Sequence, residues 1–361
     1  MSSANATVDL DDTEGLLDAD RDGLLRASAM AGAQVRATAA AIDEGALNSV
    51  AGGQRPRTLI WVAGRGAAET AGTMLAAAFG GSAGEPMVVA AESPPWIGPL
   101  DVLVVAGDDP GDPALVTAAA TAVRRGARVV VAAPYEGPLR DATAGRTAVL
   151  APRLPVADEF GLCRYLAAGL ATLAAVDPGV SVDLARLADE LDAEALRNSA
   201  GRELFTNPAK VLAERISGRR AVLAGDCAAT LALARHGAAV FLRLAGEVVA
   251  AAGLADAMAA VRSGMTSRFG DPVDRLFHDE EFDGPAPSAV RVLALALAAE
   301  REVVTARVAG CGDVDVVGAE DVGDTGETGA ITVPAGPTEQ QLAVLSVRLE
   351  MAAVYLKLVG G

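Results

Sequence analysis

The sequence is poor in aromatic residues, histidines and cysteines. Aromatic residues make up 3% of its 361 positions, and it contains two histidines and three cysteines. The cysteines, Cys163, Cys227 and Cys311, lie far apart and lack the close spacing of a metal site. We therefore expect buried, reduced thiols, a core built mainly from Ala, Val and Leu, and neither a bound metal nor a cofactor.

Positive charge is also scarce. The chain has 30 Lys and Arg residues against 47 Asp and Glu residues, which gives a formal net charge of -17. Such a surface repels nucleic acids and anionic membranes, so neither is expected as a partner. Charges interrupt the apolar runs before they could span a bilayer, and residues 1–12 show no signal-peptide pattern. We therefore expect a cytoplasmic protein.

The clearest pattern is a buried strand, a glycine turn and a helix over Thr58–Phe79. Leu59–Val62 form a continuous apolar run, which is typical of a parallel strand covered on both faces. Gly64–Gly66 form the turn, and the residues from Ala67 onward are mostly helix formers. A strand that enters a helix through glycines directs backbone N–H groups to the carboxyl edge of the sheet, where many α/β proteins bind anions.

Strands and helices alternate along the rest of the chain, which predicts an α/β fold with doubly wound parallel sheets. The further strands are predicted at Met87–Ala91, Asp101–Gly107, Ala127–Ala133, Arg219–Asp226, Ala289–Leu297 (where a helix is the alternative) and Asp313–Glu320. The helices are predicted at Thr13–Asp43, Ala114–Arg125, Val156–Ala175, Val182–Ser199, Ala228–Ala252 (where a break near Gly237 is the alternative) and Thr338–Leu358.

The strand, glycine and helix pattern recurs at Gly64, Gly107 and Gly225, which indicates duplication of one α/β unit. We predict two similar domains joined by helices. Their bounds are 1–49 for an N-terminal tail and helix, 50–152 for the first domain, 153–199 for a helical connection, and 200–361 for the second domain with its C-terminal helix.

A dinucleotide site is one interpretation of the first turn. Gly64 and Gly66 match the first two glycines of the Rossmann fingerprint, but Glu69 stands where the third is required. A carboxylate in the first helical turn opposes a pyrophosphate. The nucleotide-binding interpretation therefore has weak support.

Three short motifs occur in an order that resembles a known family. Pro152–Arg153 precedes the linking helix, Asn207–Lys210 precedes the second domain, and His278–Glu280 follows late. With the two sheet domains, this order resembles the sugar isomerase (SIS) fold, specifically the bifunctional phosphoglucose/phosphomannose isomerase family and its divergent TobH-type members. The resemblance covers most of the chain and implies a homodimer that binds a sugar phosphate.

The resemblance implies catalytic roles for three residues. In this family an arginine of a Pro-Arg pair steadies the enediolate, and Arg153 matches it. A glutamate moves the proton between C1 and C2, and Glu247 stands in the equivalent predicted helix. A histidine from the neighbouring subunit helps to open the ring, and His278 matches it. The implied reaction is aldose–ketose isomerisation of glucose or mannose 6-phosphate.

The turns implied to bind substrate depart from the family pattern. Ala68 stands where the first turn has a phosphate-binding serine, and Asp108 and Asp109 replace an Asn-Thr pair. A carboxylate about 4 Å from one phosphate charge costs roughly 4 kcal/mol at an effective dielectric constant near 20. We therefore expect a site that is degenerate or takes a different ligand. The residues that the resemblance assigns to substrate binding are Gly64, Arg65, Gly66, Ala68, Gly107, Asp108 and Asp109.

The candidates also have purely structural interpretations. Arg153 suits a salt bridge in a rigid loop, and Glu247 suits an exposed helix face. Asp108 and Asp109 suit a turn and a helix N-cap, and His278, among acidic neighbours, suits a surface loop. The main hypothesis is a carbohydrate-derivative binding protein with a divergent isomerase site. A non-catalytic regulator or partner protein in sugar-phosphate metabolism, and a nucleotide-binding Rossmann-like protein, are the alternatives.

Overall fold

The structure, a computed structural model, describes residues 8–263, 290–321 and 336–360. The chain divides into two units, each of which contains one parallel sheet. The first unit holds residues 22–199 and 336–350, and the second holds the described residues of 1–21, 200–335 and 351–361. The domain bounds expected from the sequence stay a prediction.

The described helices and strands follow the alternation expected from the sequence, but the segment Thr13–Asp43 is divided into three helices and the helix predicted from Val156 begins at Leu162. The helices are α1 (Thr13–Ala19), α2 (Leu24–Ser28), α3 (Ala31–Asp43), α4 (Ala67–Phe79), α5 (Pro113–Arg124), α6 (Gly137–Thr143), α7 (Leu162–Val176), α8 (Leu184–Arg197), α9 (Pro208–Ile216), α10 (Ala228–Val240), α11 (Leu254–Arg262), α12 (Arg301–Val308) and α13 (Thr338–Gly360). The strands are β1 (Thr58–Ala63), β2 (Met87–Ala90), β3 (Asp101–Ala106), β4 (Arg128–Ala132), β5 (Ala148–Val149), β6 (Arg220–Gly225), β7 (Ala250–Gly253), β8 (Val290–Leu295) and β9 (Val314–Val317). Short 3₁₀ turns lie at Asp158–Phe160 and Leu204–Thr206, and a π-helical turn lies at Phe241–Ala245.

The first unit is built on a parallel sheet with the strand order β2-β1-β3-β4-β5. In this sheet Ile60 of β1 lies between Val88 and Leu103 of the neighbouring strands. All the residues of β3, and all those of β1 except the last, are buried, as continuous apolar runs in a sheet covered on both faces require. The predicted α/β fold with parallel sheets is confirmed.

Trp61 determines how two helices pack in the first unit. Its side chain is fully buried, and its indole Nε1 donates a hydrogen bond to the Ala68 carbonyl at 2.9 Å. Gly72 of α4 leaves room for the ring, because a Cβ there would lie 2.3 Å from Trp61 Cδ1. A Cβ on Gly169 of α7 would lie 2.2 Å from Leu75 Cδ1 and 3.1 Å from Trp61 Cζ3. The two glycines therefore allow α4 and α7 to pack closely around one indole.

A buried ion pair joins α8 to α13 within the first unit. Glu194 and Arg348 are both almost completely buried, and Arg348 Nε donates to Glu194 Oε1 at 2.7 Å. Arg197 approaches the other carboxylate oxygen at 2.9 Å, and Asn198 donates to Oε1 at 2.6 Å. Burial alone would raise the pKa of Glu194, but the charge of Arg348 and its hydrogen bond bring that pKa below its ordinary value.

The second unit contains a parallel sheet with the order β7-β6-β8-β9. Leu223 of β6 lies between Ala251 of β7 and Leu293 of β8. The order corresponds to β2-β1-β3-β4 of the first sheet, which is what duplication of one unit would produce. The segment for which strand and helix were alternatives, Ala289–Leu297, contains the strand β8.

The prediction of helix over the whole of Ala228–Ala252 is wrong, and the helix passes through Gly237 without a break. Helix α10 ends before the π-helical turn, and Ala250–Gly253 form β7. The π-helical turn ends at Gly246, whose φ of 69° lies in the left-handed region. The parallel pairing of β7 with β6 overrides the helix propensity of alanine. Glu247 therefore lies in a loop between α10 and β7 rather than on a helix.

Candidate functional site

A cleft of about 580 Å³ opens at the carboxyl edge of the first sheet. The connections from β1 and β3 diverge to opposite sides here, and in open parallel sheets this switch point is where ligands bind. The loops after β1 and β3 and the end of β2 form the walls. The lining residues are Ala63, Gly64, Arg65, Glu69, Val89, Ala90, Ala91, Asp109, Asp112, Pro113 and Ala114.

Glycines bring the loops after β1 and β3 together. A Cβ on Gly64 would lie 3.5 Å from Gly107 Cα, and the Gly64 N–H donates to the Ala106 carbonyl at 2.7 Å. Gly66 has a φ of 71° and precedes α4 without any side-chain hydrogen bond to the helix N-terminus. These turns let the backbone come close to a ligand, as glycine-rich turns do in many binding sites.

The structure brings some of the predicted substrate-binding residues to the cleft and leaves others outside it. Gly66 and Gly107 belong to the same two turns without lining the cleft, and Ala68 is fully buried in the first turn of α4. Three of the predicted residues line the cleft: Gly64, Arg65 and Asp109.

Asp108 is bound by the first turn of α7. Its Oδ1 accepts a hydrogen bond from Arg164 Nη2 at 2.7 Å and a second from the Tyr165 hydroxyl. The Arg164 guanidinium stacks 4.1 Å from the centre of the Tyr165 ring. Burial raises the pKa of the Tyr165 hydroxyl, which keeps it protonated as a donor. Asp108 therefore holds α7 to the β3 loop, and its charge is balanced by Arg164.

Asp109 and Asp112 shape the loop that leads from β3 to α5. Asp109 Oδ1 accepts from the Gly111 N–H at 2.7 Å, which makes it a turn residue. Asp112 Oδ1 accepts from the Ala114 N–H at 2.8 Å and caps α5. The N-cap of this helix is therefore Asp112, and the expectation of an N-cap at Asp108 or Asp109 is wrong. The Asp112–Pro113 dipeptide is the sequence signal for it, because proline favours the first helical position.

The cleft lining carries more negative than positive charge. Its charged side chains are Arg65, Glu69, Asp109 and Asp112, which sum to a formal charge of about -2. Glu69 and Asp112 were not among the predicted substrate-binding residues. The sequence pattern placed Glu69 in the first helical turn after Gly66, which is the signal for its position at this edge.

The structure describes two of the three predicted catalytic residues, Arg153 and Glu247. Arg153 donates to the Glu44 carboxylate through Nη1 and Nη2, with Nη1 at 2.8 Å from Oε1. This hydrogen bond lowers the pKa of Glu44, and the salt bridge matches the structural interpretation of Arg153. Glu247 lies in its loop, half-buried. His278 lies outside the described residues.

No family model matches the sequence, and no curated protein matches it. Solved structures do match over almost the whole chain. The C-terminal domain of glucosamine-fructose-6-phosphate aminotransferase from Francisella tularensis is 10% identical, with a TM-score of 0.59 and coverage of 99% of this chain and 98% of that one. Tagatose-6-phosphate ketose/aldose isomerase from Escherichia coli is 13% identical, with a TM-score of 0.57 and coverage of 100% and 95%.

A third match is a glucose-6-phosphate isomerase-like protein from Thermus thermophilus. It is 19% identical, with a TM-score of 0.50 and coverage of 98% of this chain and 94% of that one. At these identities the likeness concerns the fold. The chain therefore has the SIS-like fold of phosphosugar isomerases, and the resemblance expected from the sequence is confirmed at that level.

Two other kinds of site have no counterpart in the part of the chain that the structure describes. None of its helices is long and apolar enough to cross a membrane. Among the same residues, no group of three or more His, Cys, Asp or Glu side chains could hold a metal ion. The cleft at the edge of the first sheet is the candidate functional site because it lies at the switch point between β1 and β3.

Proposed function

We propose that the protein binds a carbohydrate derivative in the cleft of the first sheet and does not isomerise it. The observation that carries this proposal is the cleft itself, formed at the switch point of the sheet by the Gly64 and Gly107 turns. The structural neighbours support the ligand class, because two of them are named for sugar-phosphate reactions and a third for its likeness to a glucose-6-phosphate isomerase.

The second part of the proposal is that the protein does not catalyse isomerisation of the bound sugar. The Nη1 and Nη2 groups of Arg153, the residue that the family resemblance assigns to the enediolate, both donate to the Glu44 carboxylate. Glu247 lies in a loop instead of the helix that the family resemblance implies. We propose that such a protein regulates carbohydrate metabolism as a cytoplasmic homodimer. Size-exclusion chromatography with light scattering measures the oligomeric state, and a monomer would contradict that part.

Calorimetric titration tests the binding function. Glucose, glucosamine, glucose 6-phosphate and mannose 6-phosphate are titrated into the full chain. We expect saturable binding of at least one of them, weakened about tenfold by Arg65→Ala, as the loss of one hydrogen bond from a charged group predicts. Arg146→Ala, an exposed arginine of the first unit outside the cleft, is the matched control. Absence of binding for all four sugars would refute the proposal.

A coupled assay with glucose 6-phosphate and mannose 6-phosphate tests the catalytic alternative. We expect no turnover above background. Turnover that disappears in both Arg153→Ala and His278→Ala would instead support an isomerase with the roles that the family resemblance implies. Turnover that survives both substitutions would point to contamination by a host enzyme.

A further inference from the structure

Asp112 lies where the two glycine turns meet. Its Oδ1 accepts from the Ala114 N–H at the start of α5, and its Oδ2 lies 3.8 Å from the position that a Cβ on Gly64 would occupy. The carboxylate therefore spans from the N-terminus of α5 to the first glycine turn. A helix N-terminus beside a glycine turn is an anion-binding position, and here the chain's own carboxylate fills it.

The other polar side chains of the cleft are also mainly hydrogen-bond acceptors. Glu69 and Asp109 add two carboxylates, and Arg65 is the one cationic side chain among the lining residues. A carboxylate accepts hydrogen bonds from hydroxyl and ammonium groups, whereas a phosphate dianion brings acceptors and negative charge. The lining is thus complementary to a ligand that supplies donors and no negative charge.

The N-terminus of α4, the other helix that begins at the cleft, also has a carboxylate of the chain beside it. Helix α4 has Gly66 at its N-cap, with no side-chain hydrogen bond there, and the carboxylate of Glu69 lies in its first turn. An acidic residue in the first turn already satisfies the helix dipole. Both helix N-termini at the cleft are therefore compensated by carboxylates of the chain, and little of the favourable field remains for a phosphate group.

We propose that Asp112 and Glu69 make this cleft specific for an unphosphorylated sugar, and that an amino sugar is bound most tightly. This inference rests on the proposed function, because it names the ligand class for the same cleft. Sugar hydroxyls would donate to the carboxylate oxygens, an ammonium group would be attracted by the net negative lining, and a phosphate ester would be repelled by it.

The test is a comparison of dissociation constants for glucosamine, glucose and glucose 6-phosphate by calorimetric titration. We expect the affinity to fall in that order. Asp112→Asn retains an N-cap residue but removes the charge, so we expect it to tighten glucose 6-phosphate binding about tenfold and to weaken glucosamine binding. Glu69→Gln should act in the same direction.

Asp183→Asn is the matched control, because Asp183 caps α8 through the Arg186 N–H at 2.9 Å and does not line the cleft. It should change none of the three constants, and circular dichroism verifies that all variants fold. Tighter binding of glucose 6-phosphate than of glucosamine by the unmodified protein would overturn the inference and leave the binding function standing. Binding of none of the three sugars, and of no mannose 6-phosphate either, would overturn both. Equal effects of Asp112→Asn and Asp183→Asn would remove the role assigned to Asp112.

Discussion

Replacement of Glu194 by alanine should destabilise the protein more than any surface substitution on the same helix. The change removes the Glu194 carboxylate from the Arg348 guanidinium, which is 1% exposed. It also removes the carboxylate contacts of Arg197 and Asn198. Breaking a buried ion pair by removing one partner costs about 3–5 kcal/mol. Since domains of this kind have a free energy of unfolding of roughly 5–15 kcal/mol, the expected loss is a large share of the total.

Urea denaturation followed by circular dichroism measures this loss. Asp189→Ala on the same helix is the control, because its ion pair with Arg36 is exposed on both sides and exposed pairs contribute about 0–1 kcal/mol. Replacing both partners with apolar residues, as in Glu194→Leu with Arg348→Met, should recover much of the loss. A cost for Glu194→Ala no larger than that of Asp189→Ala would refute the reasoning.

The contribution of the Glu194–Arg348 pair to the free energy of unfolding should depend on pH. The pKa of Glu194 is lower in the folded protein than its ordinary value of 4.5. The ionised carboxylate therefore contributes stability above the unfolded pKa, and that contribution is lost as the pH falls through the folded pKa. The difference between the unmodified protein and Glu194→Ala should be full at pH 7 and should shrink in acid.

Two further substitutions probe the first unit. Gly72→Ala would place a methyl group against Trp61 and should lower the free energy of unfolding by about 1–3 kcal/mol, as measured by thermal unfolding. Gly81→Ala is the control, because no atom lies within 4 Å of the added Cβ, and it should cost much less. Equal costs for the two substitutions would contradict the packing argument. Burial, followed by the neighbouring charge of Asp177, raises the pKa of Glu85, so its ionisation opposes folding as the pH rises from the unfolded to the folded pKa. Glu85→Gln should therefore raise the free energy of unfolding at pH 7, and a lower value would show that the ionised form is stabilised by Arg55.

Much of the fold could be predicted because buried parallel strands leave a strong local signal. The apolar run and glycine turn of Thr58–Phe79 indicated β1 and α4, whose observed bounds are Thr58–Ala63 and Ala67–Phe79. The prediction of a helix over Ala228–Ala252 failed at its end, since alanine favours helices locally. The last residues of this segment form a strand only because β6 is present to pair with them, and a pairing partner cannot be inferred from a short alanine run.

The position of the candidate site could be predicted from the sequence, but the side chains that line it could not. Glycine turns after parallel strands indicated the carboxyl edge of the first sheet, and the cleft lies there. The direction of each carboxylate depended on contacts distant in sequence or on the local helix. Asp108 is bound by Arg164 and Tyr165 from α7, whereas Asp112 is directed by the helix that it caps. The local sequence therefore indicates the direction of a capping residue such as Asp112, but it does not indicate a contact with a distant helix such as that of Asp108.

The ion pair between Glu194 and Arg348 also constrains when the chain can fold as it is synthesised. The two residues are 154 positions apart, and the first unit takes residues 336–350 from near the end of the chain. Its sheet strands and Arg197 leave the ribosome early, but Arg348, the buried partner of Glu194, emerges only after nearly all of the second unit has been made. The first unit must therefore wait in an incomplete state during translation. A nascent chain stalled before Arg348 should be sensitive to proteases at α8, even though every strand of its sheet has been synthesised.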